Sequence, residues 1–121
     1  MVKNSTDFNI DLNAKDQNGK TAFQYACNSH NLEIVRMMIQ KSIEFNIDLN
    51  AKTNNGDTAF HYVCSRRQIS IVKMMIDNAK IFNLELMTKN DIGQTGFQIA
   101  KKSGYTEIID IIEKEMPSIA K

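Results

Sequence analysis

The residues that could take part in catalysis or metal binding are few and lie apart in the sequence. The two histidines are His30 and His61, and the two cysteines are Cys27 and Cys64. A nucleophilic cysteine needs a histidine base within hydrogen-bond reach, and a structural metal site needs four converging ligands. No spacing among these four residues offers either arrangement. We therefore expect no enzymatic activity, no metal site and no cofactor.

Two pairs of residues with reactive or acidic side chains recur at the same interval along the sequence. Cys27 and Cys64 are 37 positions apart, and so are Asp48 and Glu85. An active site is needed once, whereas a structural residue recurs with its framework. Equivalent positions in stacked units are about 10 Å apart, and a disulfide spans roughly 7 Å or less between Cα atoms. Both cysteines are therefore expected to be free thiols in the core.

Composition and charge exclude several classes of protein. The 121 residues suffice for one domain with a continuous core. Fifteen basic and fourteen acidic residues nearly cancel, so we expect neither a nucleic-acid partner nor a membrane-surface patch. The apolar runs are far shorter than the roughly 20 residues that span a bilayer. Residues 1–8 carry one lysine and no apolar run, so we expect no secretory signal and an intracellular, cytoplasmic location.

One short sequence occurs three times at the same interval of 37 residues. Its markers are Gly19, Gly56 and Gly93, and each is followed, after one variable residue, by Thr, then Ala or Gly, then Phe. A fixed period of this length is typical of stacked-repeat proteins. We therefore predict one domain built of three units, 13–49, 50–86 and 87–121, the last including a C-terminal cap, with residues 1–12 as the tail of an incomplete preceding unit.

Each unit predicts a turn followed by two helices. The Asn-Gly pairs at 18–19 and 55–56 favour a β-turn or short hairpin. A threonine followed three residues later by glutamine predicts a capping box and a first helix of about two turns; His61 replaces the glutamine in the middle unit. The second helices are predicted from apolar stripes: Leu32, Val35, Met38 and Ile39; Ile69, Val72, Met75 and Ile76; Thr106, Ile109, Ile112 and Glu113.

The units resemble the ankyrin repeat family. Residues 19–35 carry Gly-x-Thr-Ala-Phe-x-x-Ala and then Leu-Glu-Ile-Val, which is similar to the T-P-L-H-x-A core and L-E-I-V second helix of that family, and residues 56–72 and 93–109 hold in-phase copies. The resemblance implies an all-α repeat fold, an α-solenoid of stacked helix-turn-helix units joined by short β-hairpin loops.

The chain departs from the family pattern at several backbone-sensitive positions. Alanine or glycine replaces the proline that usually follows the threonine, and Gly96 should weaken its helix by up to about 1 kcal/mol relative to alanine. The glycine that ends the first helix survives only as Gly104. His30 and Arg67 stand in its place in the other units, so we expect a left-handed backbone there.

The period of 37 residues exceeds the family's usual 33 by four. The extra residues follow the second helix, where Ile43 continues the apolar spacing, so they predict one further helical turn. Asn46 and Asn83 are expected to cap that turn in the left-handed conformation, which asparagine tolerates well. Phe45 and Phe82 are expected to fold back onto the stack.

The two ends of the sequence differ in character. Residues 7–12 match residues 44–49, which form the end of a unit, so we expect the chain to derive from a longer array. Residues 113–117 are mostly polar and close with the one proline, as a true C-terminal end would.

The resemblance implies that a partner protein binds the concave face formed by the hairpin tips and the first helices. The tip positions are Gln17, Asn18, Lys20, Asn54, Asn55, Asp57, Asp91, Ile92 and Gln94, and the helix-end positions are Asn28, Ser29, Ser65, Arg66, Arg67, Lys102 and Ser103. They differ between copies, as a recognition surface does and as an unconstrained surface also does. Ile92, Arg66 and Arg67 are the first candidates for strong contacts.

The leading hypothesis is a non-catalytic protein–protein interaction module that is monomeric as a fragment. One alternative is a structural spacer within a larger protein. The other is a segment that selects substrates for a catalytic domain elsewhere. The resemblance also makes Asn13 and Asn50 candidates for asparagine hydroxylation.

Overall fold

The computed structural model describes residues 11–117. In that range the chain forms six helices and no strand: α1 Ala22–Asn28, α2 Leu32–Gln40, α3 Ala59–Ser65, α4 Ile69–Phe82, α5 Gly96–Ser103 and α6 Thr106–Glu115. The predicted all-α repeat fold is confirmed. The predicted β-hairpin loops are instead tight turns in this part of the chain, and each turn is closed by two backbone bonds. In the first turn, Asp16 N–H donates to the Lys20 carbonyl and Gly19 N–H donates to the Asp16 carbonyl, both at 2.9 Å.

The helices form two layers. α1, α3 and α5 pack side by side in one layer, and α2, α4 and α6 pack in the same order in the other. The core between the layers is one continuous cluster in which Phe23, Phe60 and Phe97 hold the same place in successive helix pairs. No helix among residues 11–117 is long and apolar enough to cross a membrane. The predicted tail of a preceding unit, residues 1–12, lies outside the described residues except for its last two.

Every first helix begins with the predicted capping box. The N-cap N–H donates to the side chain three residues later: Thr21 to Gln24 at 2.8 Å, Thr58 to His61 at 2.9 Å and Thr95 to Gln98 at 2.9 Å. The helices that follow have seven, seven and eight residues, or about two turns as predicted. The histidine therefore reproduces the cap that glutamine makes in the other two units.

The apolar stripes of the second helices are confirmed in α2 and α4, and in α6 only for Ile109 and Ile112. In α6 the buried residues are Ile108 and Ile112, whereas the predicted Thr106 and Glu113 are exposed. Ile108 and Ile112 occupy the places of Ile71 and Met75, which are buried in α4, so the two helices bury the same face. The predicted stripe did not include the position of Ile71 and Ile108.

The predicted further turn is helical only in the second unit. α4 continues to Phe82 and ends at Asn83, which is left-handed at φ 56°, as expected. α2 ends at Gln40, and the residues that follow form irregular turns up to Asn46, also left-handed at φ 54°. Ser42 accounts for the difference, because its hydroxyl donates to the Ile39 carbonyl at 2.7 Å and competes with the helical backbone bond. α4 has alanine at that position.

The two phenylalanines of this region behave differently. Phe82 lies in the last turn of α4 and packs against the core, as predicted. Phe45 is 49% exposed, so the expectation that it folds back onto the stack is wrong. Ile43 is 74% exposed, which shows that the apolar spacing after α2 does not continue its buried face.

His30 and Arg67 adopt the predicted left-handed backbone, with φ values of 64° and 56°, and Gly104 has φ 74°. Gly96 has a role that helix propensity did not indicate. A Cβ at this position would lie 2.7 Å from the nearest ring carbon of Phe60 and 3.0 Å from the sulfur of Cys64. The glycine therefore allows α5 to approach α3 closely, and this outweighs the preference of a helix for alanine.

Hydrogen bonds from buried side chains join successive units at the start of the first helices. Gln24 Nε2 donates to the Ala51 carbonyl at 2.7 Å, and His61 Nε2 lies 2.8 Å from the Gln94 carbonyl. Since Thr58 N–H donates to Nδ1 of His61, the ring proton is on Nε2, and the histidine donates to the next unit. One side chain thus caps its own helix and holds the neighbouring unit in register.

Asn13 and Asn50 form a second set of bonds, which join the beginning of a unit to its end. The Asn13 amide nitrogen donates to the Asn46 carbonyl at 2.8 Å, while its oxygen accepts from Asp48 N–H at 2.7 Å. Asn50 makes the same two bonds 37 positions later, to Asn83 and from Glu85. The two candidates for hydroxylation therefore have a structural function, because each amide holds the left-handed residue that follows the second helix of its unit.

Gly96→Ala is expected to lower the free energy of unfolding. The gain of up to about 1 kcal/mol in helix propensity is smaller than the roughly 1–3 kcal/mol cost of forcing extra volume into a packed core. The midpoint of urea unfolding measures the change. Gly96→Ala in a Phe60→Leu background is the control, because the smaller side chain makes room and the loss should shrink. A stabilised Gly96→Ala protein would refute the close approach of α5 to α3.

His61→Gln should leave the stability nearly unchanged, because glutamine makes both bonds in the first unit. His61→Ala should cost about 2 kcal/mol or more, since it leaves the Thr58 N–H and the Gln94 carbonyl without their partner. Gln98→Ala is the matched control, because Gln98 caps its helix but is exposed; about 1 kcal/mol is expected there. Equal losses for His61→Ala and Gln98→Ala in urea unfolding would show that the bond between units contributes nothing.

Candidate functional site

The histidines and cysteines do not assemble into a reactive site within residues 11–117. No three His, Cys, Asp or Glu side chains in this range come together to hold a metal ion. Cys27 and Cys64 are free and fully buried, as predicted, and His61 is occupied by its two backbone partners. His30 is exposed at the turn between α1 and α2.

Burial also suppresses the reactivity of both thiols. It raises the pKa of Cys27 to about 12 and moves the pKa of Cys64 in the same direction. The thiolate is the nucleophilic form of cysteine, so both side chains stay protonated and inert near neutral pH. A raised pKa in the folded state also stabilises the fold below the usual pKa of the thiol, and that contribution is lost only in alkali.

Native protein at pH 8 is therefore expected to react with a chromogenic disulfide reagent only as fast as it opens. Both thiols should react within minutes once urea is added. A Ser65→Cys variant provides the control, because Ser65 is exposed and its thiol should react at once in the native protein. Rapid modification of one thiol in the unmodified sequence would contradict the burial of these residues.

Several of the predicted tip residues hold neighbouring turns together. The Asn18 carbonyl accepts from Asn54 N–H at 3.0 Å, the Gln17 carbonyl accepts from the Asn54 side chain at 2.9 Å, and the Asn55 carbonyl accepts from Asp91 N–H at 3.0 Å. These residues are exposed, yet their backbone positions are fixed by the stack. Part of the predicted binding surface therefore also has a structural function.

A stack of two tyrosines and a lysine lies on the exposed side of the first helices. The Lys20 ammonium lies 5.2 Å from the ring centre of Tyr25 and 4.9 Å from that of Tyr62, within the range of cation–π attraction. Tyr25 is 47% exposed and donates its hydroxyl to Asp16. This bond lowers the pKa of the Asp16 carboxyl and raises that of the Tyr25 hydroxyl.

Variation between the tips does not reveal the tyrosines, because they lie on the helices and are identical in two units. The available signal was their spacing, since Tyr25, Tyr62 and Ile99 are 37 residues apart. They follow the buried phenylalanine of each unit by two positions, which on a helix places them away from the core. A recurring large side chain at an outward position indicates a second, exposed stripe.

A cleft of about 200 Å³ opens between α3 and α5 beside this stack. Its walls include Tyr62, Ser65 and Ile99 from the helices, and Asp57 and Gln94 from the turns. The Asp57 carboxylate accepts from the Asn90 amide at 2.9 Å. The predicted residues Lys20, Asp57, Gln94 and Ser65 are thus brought together with the unpredicted tyrosine.

The helix-end residues divide into engaged and available side chains. Ser29 and Ser65 donate to carbonyls of their own helices, and Arg67 pairs with Glu107 at 2.8 Å. Arg67 is therefore a weaker candidate than its neighbour Arg66, which is exposed. The remaining predicted residues are exposed except Asn28, which is half-buried: Asn28, Ile92, Lys102 and Ser103.

Comparison with known proteins agrees with the geometry. Residues 1–85 match a family model described as ankyrin repeats (3 copies), and a search of curated proteins found no match. Residues 86–121, with α5 and α6, lie outside the matched range and have the same helix pairing. Ankyrin repeats generally mediate protein–protein interaction and are generally not enzymes.

Proposed function

Since the chain belongs to the ankyrin repeat family, we propose that it is a non-catalytic module that binds another protein through its turns and first helices. The observation that carries this proposal is the partly exposed stack of Lys20, Tyr25 and Tyr62. Tyrosine and arginine are enriched among the residues that dominate binding energy, and Arg66 lies one turn beyond Tyr62.

The stack is held in place before any partner arrives. Tyr25 is fixed by its bond to Asp16, and Lys20 lies against both rings. Side chains that are already ordered lose less conformational entropy on binding. A large, rigid and partly exposed aromatic surface supports recognition better than it supports a passive role.

The structural spacer remains the second candidate, and the bonds between the turns favour it. Asn54 and Asp91 are variable surface residues that bond to the neighbouring turn and so support the stacking of the units. As part of the main proposal we place the protein in the cytoplasm, an assignment that the two free cysteines support. The same proposal includes a monomeric state and a division of the chain into three units, 13–49, 50–86 and 87–121.

The test is site-specific photo-crosslinking in the cell of origin. A crosslinking amino acid at position 62 should yield a small set of adducts, and the same group at position 81, an exposed site on α4, should not yield that set. Tyr25→Ala should weaken binding of the captured protein about 10- to 100-fold, or about 1.4–2.8 kcal/mol. The same adducts from both positions would favour the spacer, and unchanged affinity of the Tyr25→Ala variant would place the binding site away from the tyrosine stack.

A further inference from the structure

The charges of the proposed binding face are distributed unevenly. The helix ends present Arg66, Arg67 and Lys102 among asparagine and serine, with no carboxylate in that row. The turn side carries Asp16, Asp57 and Asp91 together with Lys20, which lies against the tyrosine rings. A partner that lies along this face therefore meets mixed charges at the turns and only basic groups at the helix ends.

Two of the acidic groups are already engaged by the protein itself. Asp16 accepts from the Tyr25 hydroxyl and from the backbone N–H groups of Asn18 and Lys20, both at 2.9 Å. Asp57 accepts from the Asn90 side chain. These carboxylates order the turns, so they offer little to a cationic ligand.

Two of the basic groups at the helix ends are not engaged in this way. Among residues 11–117 the ion pairs join Arg36 to Glu33, Lys41 to Glu44 and Arg67 to Glu107. Arg66 and Lys102 take part in none of them and are exposed. The charge that this face leaves unmatched at its helix ends is therefore positive.

The cleft between α3 and α5 is near Arg66 in the sequence, because its wall residue Ser65 directly precedes Arg66. Tyr62 and Ile99 give the cleft apolar surface, and the rest of its wall is polar: Asp57, His61, Ser65, Asn90 and Gln94. Its volume of about 200 Å³ is below the 300–1,000 Å³ usual for a complete small ligand. A single aliphatic or proline side chain suits it better.

Resting on the proposed function, we propose that the partner contributes an extended acidic segment. One carboxylate pairs with Arg66, a second pairs with Lys102, and an apolar side chain between them enters the cleft of Tyr62 and Ile99. Arginine binds carboxylates in a two-point geometry, and opposite potentials speed association. A segment in the extended polyproline II conformation has three residues per turn and rises about 3.1 Å per residue. Side chains three positions apart therefore lie on one side of it, about 9 Å apart. Neighbouring packed helices are about 10 Å apart, so the two acids should be three positions apart.

A nucleic acid is the less favoured anionic ligand. Its backbone is charged along its whole length and would have to pass Asp57 and Asp91 on the turn side. The net charge of the whole chain is only +1. A short acidic segment can instead place its charges at the helix ends alone.

The experiment is selection of peptides from a random display library on the complete 121-residue chain. The selected sequences should be enriched in Asp or Glu at two positions three apart, with an aliphatic residue or proline between them. Fluorescence anisotropy of these peptides should show at least tenfold weaker binding to an Arg66→Glu/Lys102→Glu variant. An Arg36→Glu/Lys73→Glu variant, with the same charge change on α2 and α4, should bind within twofold of the original chain.

Three results would overturn the acidic segment. They are selected peptides without paired acids, equal binding by the Arg66→Glu/Lys102→Glu variant while circular dichroism shows it folded, or tighter binding of a single-stranded oligonucleotide than of any selected peptide. The proposed function fails separately. If crosslinking from position 62 captures a protein that binds both charge variants equally, the binding module stands and the acidic segment does not.

Discussion

A bond from one buried side chain to the next unit underlies the rest of the structure. Gln24 and His61 each accept the N–H that begins their own helix and donate to a backbone carbonyl of the following unit. Helix initiation and stacking are therefore a single interaction, and neither can shift without the other. The register that results brings Tyr25 and Tyr62 close enough for one lysine to lie against both rings. The candidate binding face thus depends on the bonds that hold the stack.

Much of the fold follows from local sequence rules. The capping boxes, the length of the first helices and the left-handed His30 and Arg67 are set by a few neighbouring residues, and these predictions hold. The wrong predictions concern positions where the local structure is set by contacts between units or by a single side-chain hydrogen bond. The hydroxyl of Ser42 ends a helix that alanine continues in the next unit, and Gly96 is required by a ring from another helix. No periodicity of the sequence reveals either contact.

The site was predicted less well, for a related reason. A difference between copies does not by itself indicate recognition, because Asn54 and Asp91 differ from their counterparts and still join adjacent turns. Tyr25 and Tyr62, which are the same in both units, face outward. On this surface the direction of a side chain indicates a binding role better than the residue type does. Arg66 and Arg67 make the same point, because adjacent identical residues differ in whether an acid already neutralises them.

The added length after the second helices has a consequence for how such a chain can change. The extra residues lie at the far ends of α2 and α4, in the layer opposite the tyrosine stack. Growth or shrinkage there leaves the turns, the first helices and their mutual bonds in place. A change of length at that side is therefore expected to be neutral for recognition. The second helices can vary in length while the spacing of the side chains on the first helices stays constant.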